Sequence, residues 1–337
     1  MRKCHPEPPT KALGGRLREG SLKREPWLTL VAALLGMTPV FALAATYPLP
    51  PPEVDLIGEI GYDVAGADDA LVDIGRRHRL GYEELILANP AVDRWLPRAG
   101  TTVVLPTRYL LPAAPREGIV VNIAEYRLYY YRKATGKAPA VVETYAVSAG
   151  REDWQTPNVE TQVSRRLKDP AWYPPRAIRD EHAADGSKLP GVVPPGPDNP
   201  LGPLALKLGI PGGYFIHGTS KPFGIGMSVT HGCLRLYPQD MEELFAMVPE
   251  GTKVRVVNQP YKTGWKDGVL YVEAHPEPGA TPGALREYLE AALSGRPDYE
   301  VDWEWVDSIA LQPRGVPLPV RPAALRAARK VSSRRLG

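Results

Sequence analysis

IHGTSKPFGIGMSVTHGCLRLY, residues 216–237, opens on the last residues of a predicted strand, Tyr214–His217, and closes just before a predicted helix. It holds two histidines, His217 and His231, within sixteen positions of Cys233. A thiol needs a base to become a nucleophile at neutral pH, and that base must be oriented by a third group. Gly218 and Gly232 let backbone approach a substrate closely and aim N–H groups at a developing oxyanion. Arg235 is placed to steady a carboxylate or to lower the cysteine pKa. Packing alone would also account for a histidine beside a cysteine. A zinc site built on the three residues would lack a fourth histidine or cysteine at ligand spacing. Three further histidines read as surface residues: His78, His182 and His275 lie in polar or loop contexts.

Downstream of this stretch, Met241, Leu244, Phe245 and Val248 recur at helical spacing, with Pro238 suited to a first turn, so the pattern predicts a helix over 238–248. Strands follow at Lys253–Val257 and Val269–Glu273, both continuing or extending the sheet, and residues 283–294 read as helical. Upstream, Ile119–Ile123 and Tyr126–Tyr131 flank a short turn, Ala140–Val147 follows Gly136, and Val159, Thr161 and Val163 alternate with polar residues as a one-sided strand does. Residues 168–213 are proline-rich and loop-like, and a loop of this length in a compact domain is commonly a lid or a binding wall. Residues 58–107 form a separate pattern of strand (Glu59–Val64), helix (69–78), helix (Tyr82–Asn89) and strand (Thr101–Pro106). Gly81 divides the helices and Asn89-Pro90 ends the second.

The chain has 337 residues, with 41 Lys/Arg against 38 Asp/Glu. That balance is uneven along the chain. Residues 1–44 carry seven basic and three acidic groups, and 312–337 carry seven basic groups and no acidic one. The middle, 45–311, therefore holds 27 basic and 35 acidic residues, so the basic ends give no argument for nucleic-acid binding. Arg16, Arg18, Lys23 and Arg24 precede the apolar run Trp27–Ala45, which ends in Ala42-Leu43-Ala44. This order predicts a signal peptide cleaved after Ala44, with an uncleaved anchor as the alternative. Cleavage would remove Cys4 and leave Cys233 as the only thiol of an exported chain, unable to close an internal disulfide.

The string HG…THGCLRL closely resembles the active-site motif of the L,D-transpeptidase family, whose catalytic domain is called YkuD. VVNIAEYRLYYY, VSAGREDWQTP and PPGPDNPLGPLAL support the resemblance upstream, and LILANPAVDRWLP and TTVVLP make residues 58–107 resemble a LysM module. The resemblance implies a mainly β, sandwich-like catalytic domain with a short helix after the cysteine, plus a small α/β LysM module. The expected division is signal peptide 1–44, proline-rich linker 45–57, LysM peptidoglycan-binding module 58–107, catalytic domain 116–258, C-terminal extension 259–311 and basic disordered tail 312–337. It further implies Cys233 as nucleophile and His217 as general base, its other ring nitrogen held by a backbone carbonyl such as that of Gly218. His231, Gly232, Gly218 and Thr230 would line the oxyanion region, and Arg235 would bind substrate. Thr230 stands where the family often has Ser. The implied reaction takes an acyl group from a peptidoglycan tetrapeptide stem through a thioester to an amine, making a 3→3 cross-link or anchoring an outer-membrane lipoprotein. It needs no metal or organic cofactor, no nucleic acid is a partner, and the site of action is the periplasm. The competing readings are a hydrolase on the same scaffold and a non-enzymatic wall-binding protein. With the motif wholly outside 58–107, removal of 45–107 is expected to weaken wall binding and spare soluble turnover.

Overall fold

A computed structural model of the chain describes residues 45–279, 281–296 and 298–320. The expected signal peptide and most of the expected basic tail lie outside these residues. Among the described residues no helix is long and apolar enough to cross a membrane.

Nine strands form one sheet, in the order Ala45–Pro48, Val141–Ala146, Arg127–Arg132, Gly118–Asn122, Lys253–Val257, Val159–Lys168, Leu204–Leu208, Phe215–His217 and Leu234–Arg235. Leu128 and Tyr145 from one half share a buried core with Leu206, Ile216 and Leu234 from the other. Helix Pro238–Met247 adds Met241, Leu244 and Phe245 to the same core, as its spacing predicts. Strands from opposite ends can meet in one core only if the sheet curls. A bridge between Ser148 and Arg235 ties the last strand back to the chain just beyond Val141–Ala146. The expected sandwich thus takes the form of one mainly β sheet curled on itself.

Residues 61–105 follow the predicted order. Strands Gly61–Val64 and Thr102–Leu105 pair antiparallel around helices Leu71–His78 and Tyr82–Ala88. Leu71, Ile74, Leu85, Val103 and Leu105 are its core. Asn89 ends the second helix: its amide donates to the carbonyls of Leu85 and Val104, both at 2.8 Å, and accepts from the Val104 N–H at 2.7 Å.

Other segments differ from expectation. Ala45–Pro48, expected within a linker, is the edge strand of the main sheet and pairs with Val141–Thr144. Leu56–Gly58 pairs with Arg108–Leu110. Hairpin Tyr261–Lys266/Val269–Ala274 does not extend the main sheet. The chain turns at Gln259-Pro260, where Asn122 Oδ1 accepts the Gln259 N–H at 2.8 Å, and the hairpin forms a separate sheet with Leu318–Pro319. Those last two residues were expected in a disordered tail. Helices Pro282–Leu293 and Trp303–Leu311 cover this sheet over a second core that includes Leu270, Val272, Leu285 and Val306. Residues 168–213 contain a helix, Arg176–Ala184, and the strand Leu204–Leu208. His275 is buried rather than on the surface, because its Nε2 lies 2.7 Å from Glu273 Oε1 inside an ion network.

Candidate active site

Parallel strands need a long crossover between them. The thirteen residues between His217 and His231 fall in that connection, since Phe215–His217 and Leu234–Arg235 pair parallel with Ile216 opposite Leu234 and His217 opposite Arg235. Ile216 and Leu234 point into the core. Side chains alternate along a strand, so His217 and Arg235 take the other face, and Cys233, one step before Leu234, shares it. The backbone that delivers Cys233 is tightly specified. Gly232 has φ +94°, and a Cβ there would lie 2.7 Å from Tyr214 Cε1, so only glycine fits. Thr230 is fully buried and its hydroxyl works in two directions: it donates to the Cys233 carbonyl at 2.6 Å and accepts the Gly232 N–H at 3.1 Å. Thr156 braces the same turn from outside, donating to the Gly232 carbonyl at 2.9 Å.

His217 is 2% exposed and its Nδ1 lies 2.7 Å from the Gly218 carbonyl oxygen. A carbonyl only accepts, so Nδ1 carries the proton and Nε2 presents a lone pair. Burial, followed by the nearby Arg235 charge, pushes the His217 pKa down to about 3. Burial pushes the Cys233 thiol up, against the pull of the Phe215 backbone N–H and of Arg235. The two groups therefore rest as neutral imidazole and neutral thiol. Cys233 Sγ lies 3.9 Å from the Gly213 carbonyl, and among the described residues no hydrogen bond joins it to either histidine. Arg235 is itself held below its ordinary pKa by burial, and its buried Nε has no hydrogen-bond partner.

His231 faces elsewhere. Its Nε2 is 2.9 Å from Glu181 Oε2, and Trp154 packs edge-on against its ring at 5.0 Å. Arg151 donates to the other Glu181 oxygen at 2.6 Å, and the Arg151 N–H donates to the Thr230 carbonyl at 3.0 Å. The structure thus brings His217, Gly218, Cys233 and Arg235 together, places Thr230 and Gly232 as the brace beneath them, and turns His231 toward helix Arg176–Ala184. The Gly232 N–H is already engaged by Thr230. Thr156, Trp154 and Glu181 escaped the sequence reading. The first two lie in the quoted segment VSAGREDWQTP, while Glu181 carried no signal at all.

A cavity of about 520 Å³ reaches Gly150, Thr156 and Ser228 but not Cys233, and is also lined by Glu83, Glu152 and His275. Beside it, ligand atoms of Glu125, Glu273 and His275 lie within 4.8 Å of one another. The cation these carboxylates hold is the Lys262 ammonium, 2.6 Å from Glu125 and 2.8 Å from Glu273.

The sequence profile of the YkuD L,D-transpeptidase catalytic domain matches residues 116–256. The chain is 43% identical to the probable L,D-transpeptidase YcfS of Escherichia coli over 74% of its own length and 78% of that protein's. It is 37% identical to the probable L,D-transpeptidase ErfK/SrfK of Salmonella typhimurium, covering 84% and 82% of the two chains. Against the probable L,D-transpeptidase YbiS of Escherichia coli the identity is 38%, over 82% and 92%.

Proposed function

The chain belongs to the L,D-transpeptidase family built on the YkuD catalytic domain, and from that premise we propose that Cys233 and His217 carry its acyl transfer between peptidoglycan stem peptides and an amine. His217 Nε2 takes the thiol proton as the sulfur adds to the carbonyl joining residues three and four of a tetrapeptide stem. The Cys233 N–H faces the oxyanion. The C–N bond then breaks, the proton passes from His217 to the departing D-alanine amine, and a thioester holds the donor. An acceptor amine attacks that thioester, gives its proton to His217, and releases the sulfur as thiol. The acceptor is a diaminopimelate side chain of another stem, giving a 3→3 cross-link, or a lysine of an outer-membrane lipoprotein. Neither step calls for a metal or an organic cofactor.

The observation that carries this reading is the bond from His217 Nδ1 to the Gly218 carbonyl, which fixes the tautomer a base needs. Arg235, with an unpartnered buried Nε on the same face as Cys233, suits a polar group of the stem peptide. The βααβ module is read as a LysM unit that holds glycan, and the mature enzyme as a periplasmic protein cleaved after Ala44. Incubating the mature protein with tetrapeptide muropeptides, with and without a lipoprotein C-terminal peptide, tests the proposal by mass analysis. Loss of D-alanine coupled to a new amide is the expected result. Release of D-alanine with water alone as acceptor would make the protein a hydrolase, and no release would overturn the assignment.

A further inference from the structure

Helix Tyr82–Ala88 leaves its first N–H groups without partners inside the helix, as every helix does. Here the Tyr82 N–H donates to the Ile225 carbonyl at 3.0 Å and the Glu83 N–H to the Gly226 carbonyl at 3.3 Å. The loop that accepts them is four residues from Thr230, whose hydroxyl closes the Cys233 turn. The approach is as close as backbone allows. Gly226 has φ +82°, and a Cβ there would lie 2.3 Å from Gly81 Cα. The same module also grips the chain on the far side of the cysteine. Tyr237, buried, donates from its hydroxyl to the Leu80 carbonyl at 2.9 Å. Arg79 donates from Nε to Asp240, and from its two terminal nitrogens to Glu243 at 2.9 and 2.8 Å. Asp240 and Glu243 lie on helix Pro238–Met247, which begins five residues after Cys233. Ile225 and Tyr237 share one buried apolar contact with Ala146, so the two grips meet.

From these contacts we infer that the βααβ module is not only a wall-binding appendage: Arg79 and the helix start at Gly81–Tyr82 are positioning residues for the reaction, clamping the segments on both sides of Cys233. The inference rests on the reading of Cys233 as nucleophile. It assigns to the module a contribution to chemistry on substrates too small to bind the module itself. The clamp works through backbone carbonyls and a bidentate guanidinium, so it fixes geometry rather than supplying a reacting group.

The test uses the mature full-length protein and reads the thiol directly. Arg79→Ala and Tyr237→Phe are compared with wild type in thermal melts, in the pH profile of Cys233 alkylation by iodoacetamide, and in the rate of acylation by a carbapenem. Arg79→Ala should keep a cooperative melt, acylate at least tenfold more slowly, and show an altered alkylation profile. Arg79→Lys, which restores one ion pair, should recover part of the loss. Tyr237→Phe removes a single hydroxyl, so it keeps the fold even if Arg79→Ala does not, and should slow acylation about threefold. Folded variants with wild-type acylation rates and an unchanged alkylation profile overturn the inference. Failure of wild-type protein itself to acylate, with alkylation intact, counts against the transpeptidase mechanism instead, and the alkylation profiles of the variants still decide the positioning role.

Discussion

With its Nδ1 committed to the Gly218 carbonyl and its pKa pushed to about 3, His217 stays neutral over the whole range in which a free histidine would titrate. Two measurable consequences follow from one group. Acylation of Cys233 should show no inflection near pH 6.5, because base and thiol both keep their resting protonation from about pH 4 to the onset of thiol ionisation. A step at 6.5 in the acylation rate would show that His217 titrates as a free imidazole. Stability carries the second consequence. Between about pH 3 and pH 6.5 the unfolded chain binds a proton at this residue that the folded chain does not, so stability rises with pH across that window. The contribution is fully present above 6.5 and is lost as pH falls toward 3. Replacing His217 by Gln removes the titration, so urea midpoints measured from pH 7 to pH 4 should fall less steeply in H217Q than in wild type. The roles of Thr230 and Gly232 also belong to this scale. A threonine in place of serine keeps the hydroxyl that both donates and accepts, and its buried methyl suits a position with no exposure.

Helix Arg176–Ala184 is the element that the sequence hid. Its base is secured by the Trp172–Val193 bridge and by Asn199, whose amide donates to the carbonyls of Pro170, Val193 and Pro194. Its contact with the candidate site runs through Glu181 to Arg151 and His231. Glu181 is part exposed and its ion pairs are screened by solvent, so neutralising it should change stability little. Its effect should fall on substrate handling. Glu181→Gln should raise KM for a soluble stem peptide severalfold, leave kcat within about twofold, and speed hydrogen exchange over 176–184. A variant with wild-type KM and unaltered exchange would reduce Glu181 to a surface ion pair. Elements whose causes are local were legible in advance: the βααβ order of 61–105 follows from helical spacing and from Gly81 and Asn89, and helix 238–247 follows from Pro238 and four apolar positions. The candidate site residues could be named in advance because one short stretch, 216–237, carries His217, Thr230, Gly232, Cys233 and Arg235. Strand Ala45–Pro48 was not, because its reason to be a strand is the partner Val141–Thr144 nearly a hundred residues away. The proline-rich 168–213 segment reads as loop because prolines mask a helix whose apolar anchor is a single buried residue, Ile178.

At the scale of the whole molecule the parts divided by the sequence are interlocked. Arg127 of the catalytic sheet is 2% exposed and paired with Glu84 of the module, and its guanidinium also packs over the Tyr109 ring at 4.3 Å. Buried Lys262 of the C-terminal hairpin joins Glu273 to Glu125, in the turn between strands Gly118–Asn122 and Arg127–Arg132. Burial alone would raise Glu273, but Lys262 and His275 more than reverse that and hold it at about 2. Breaking such a pair from one side leaves a buried charge and costs about 3–5 kcal/mol, a large fraction of a typical domain's stability. This changes what truncation should do. Deleting 45–107 does more than remove a binding module: it strips the edge strand from Val141–Ala146, takes Glu84 from Arg127, and frees both flanks of the cysteine loop. An exposed apolar strand edge then invites association between copies. The truncated chain should therefore be poorly soluble or lack a cooperative melt, and its Cys233 should alkylate at the rate of urea-unfolded protein. Glu84→Gln isolates one part of this effect and should lower the urea midpoint of an otherwise soluble chain. A truncated protein that melts cooperatively and turns over soluble muropeptides at the full-length rate would mean that the module and edge strand are dispensable to the catalytic sheet, whatever they contact in the intact chain.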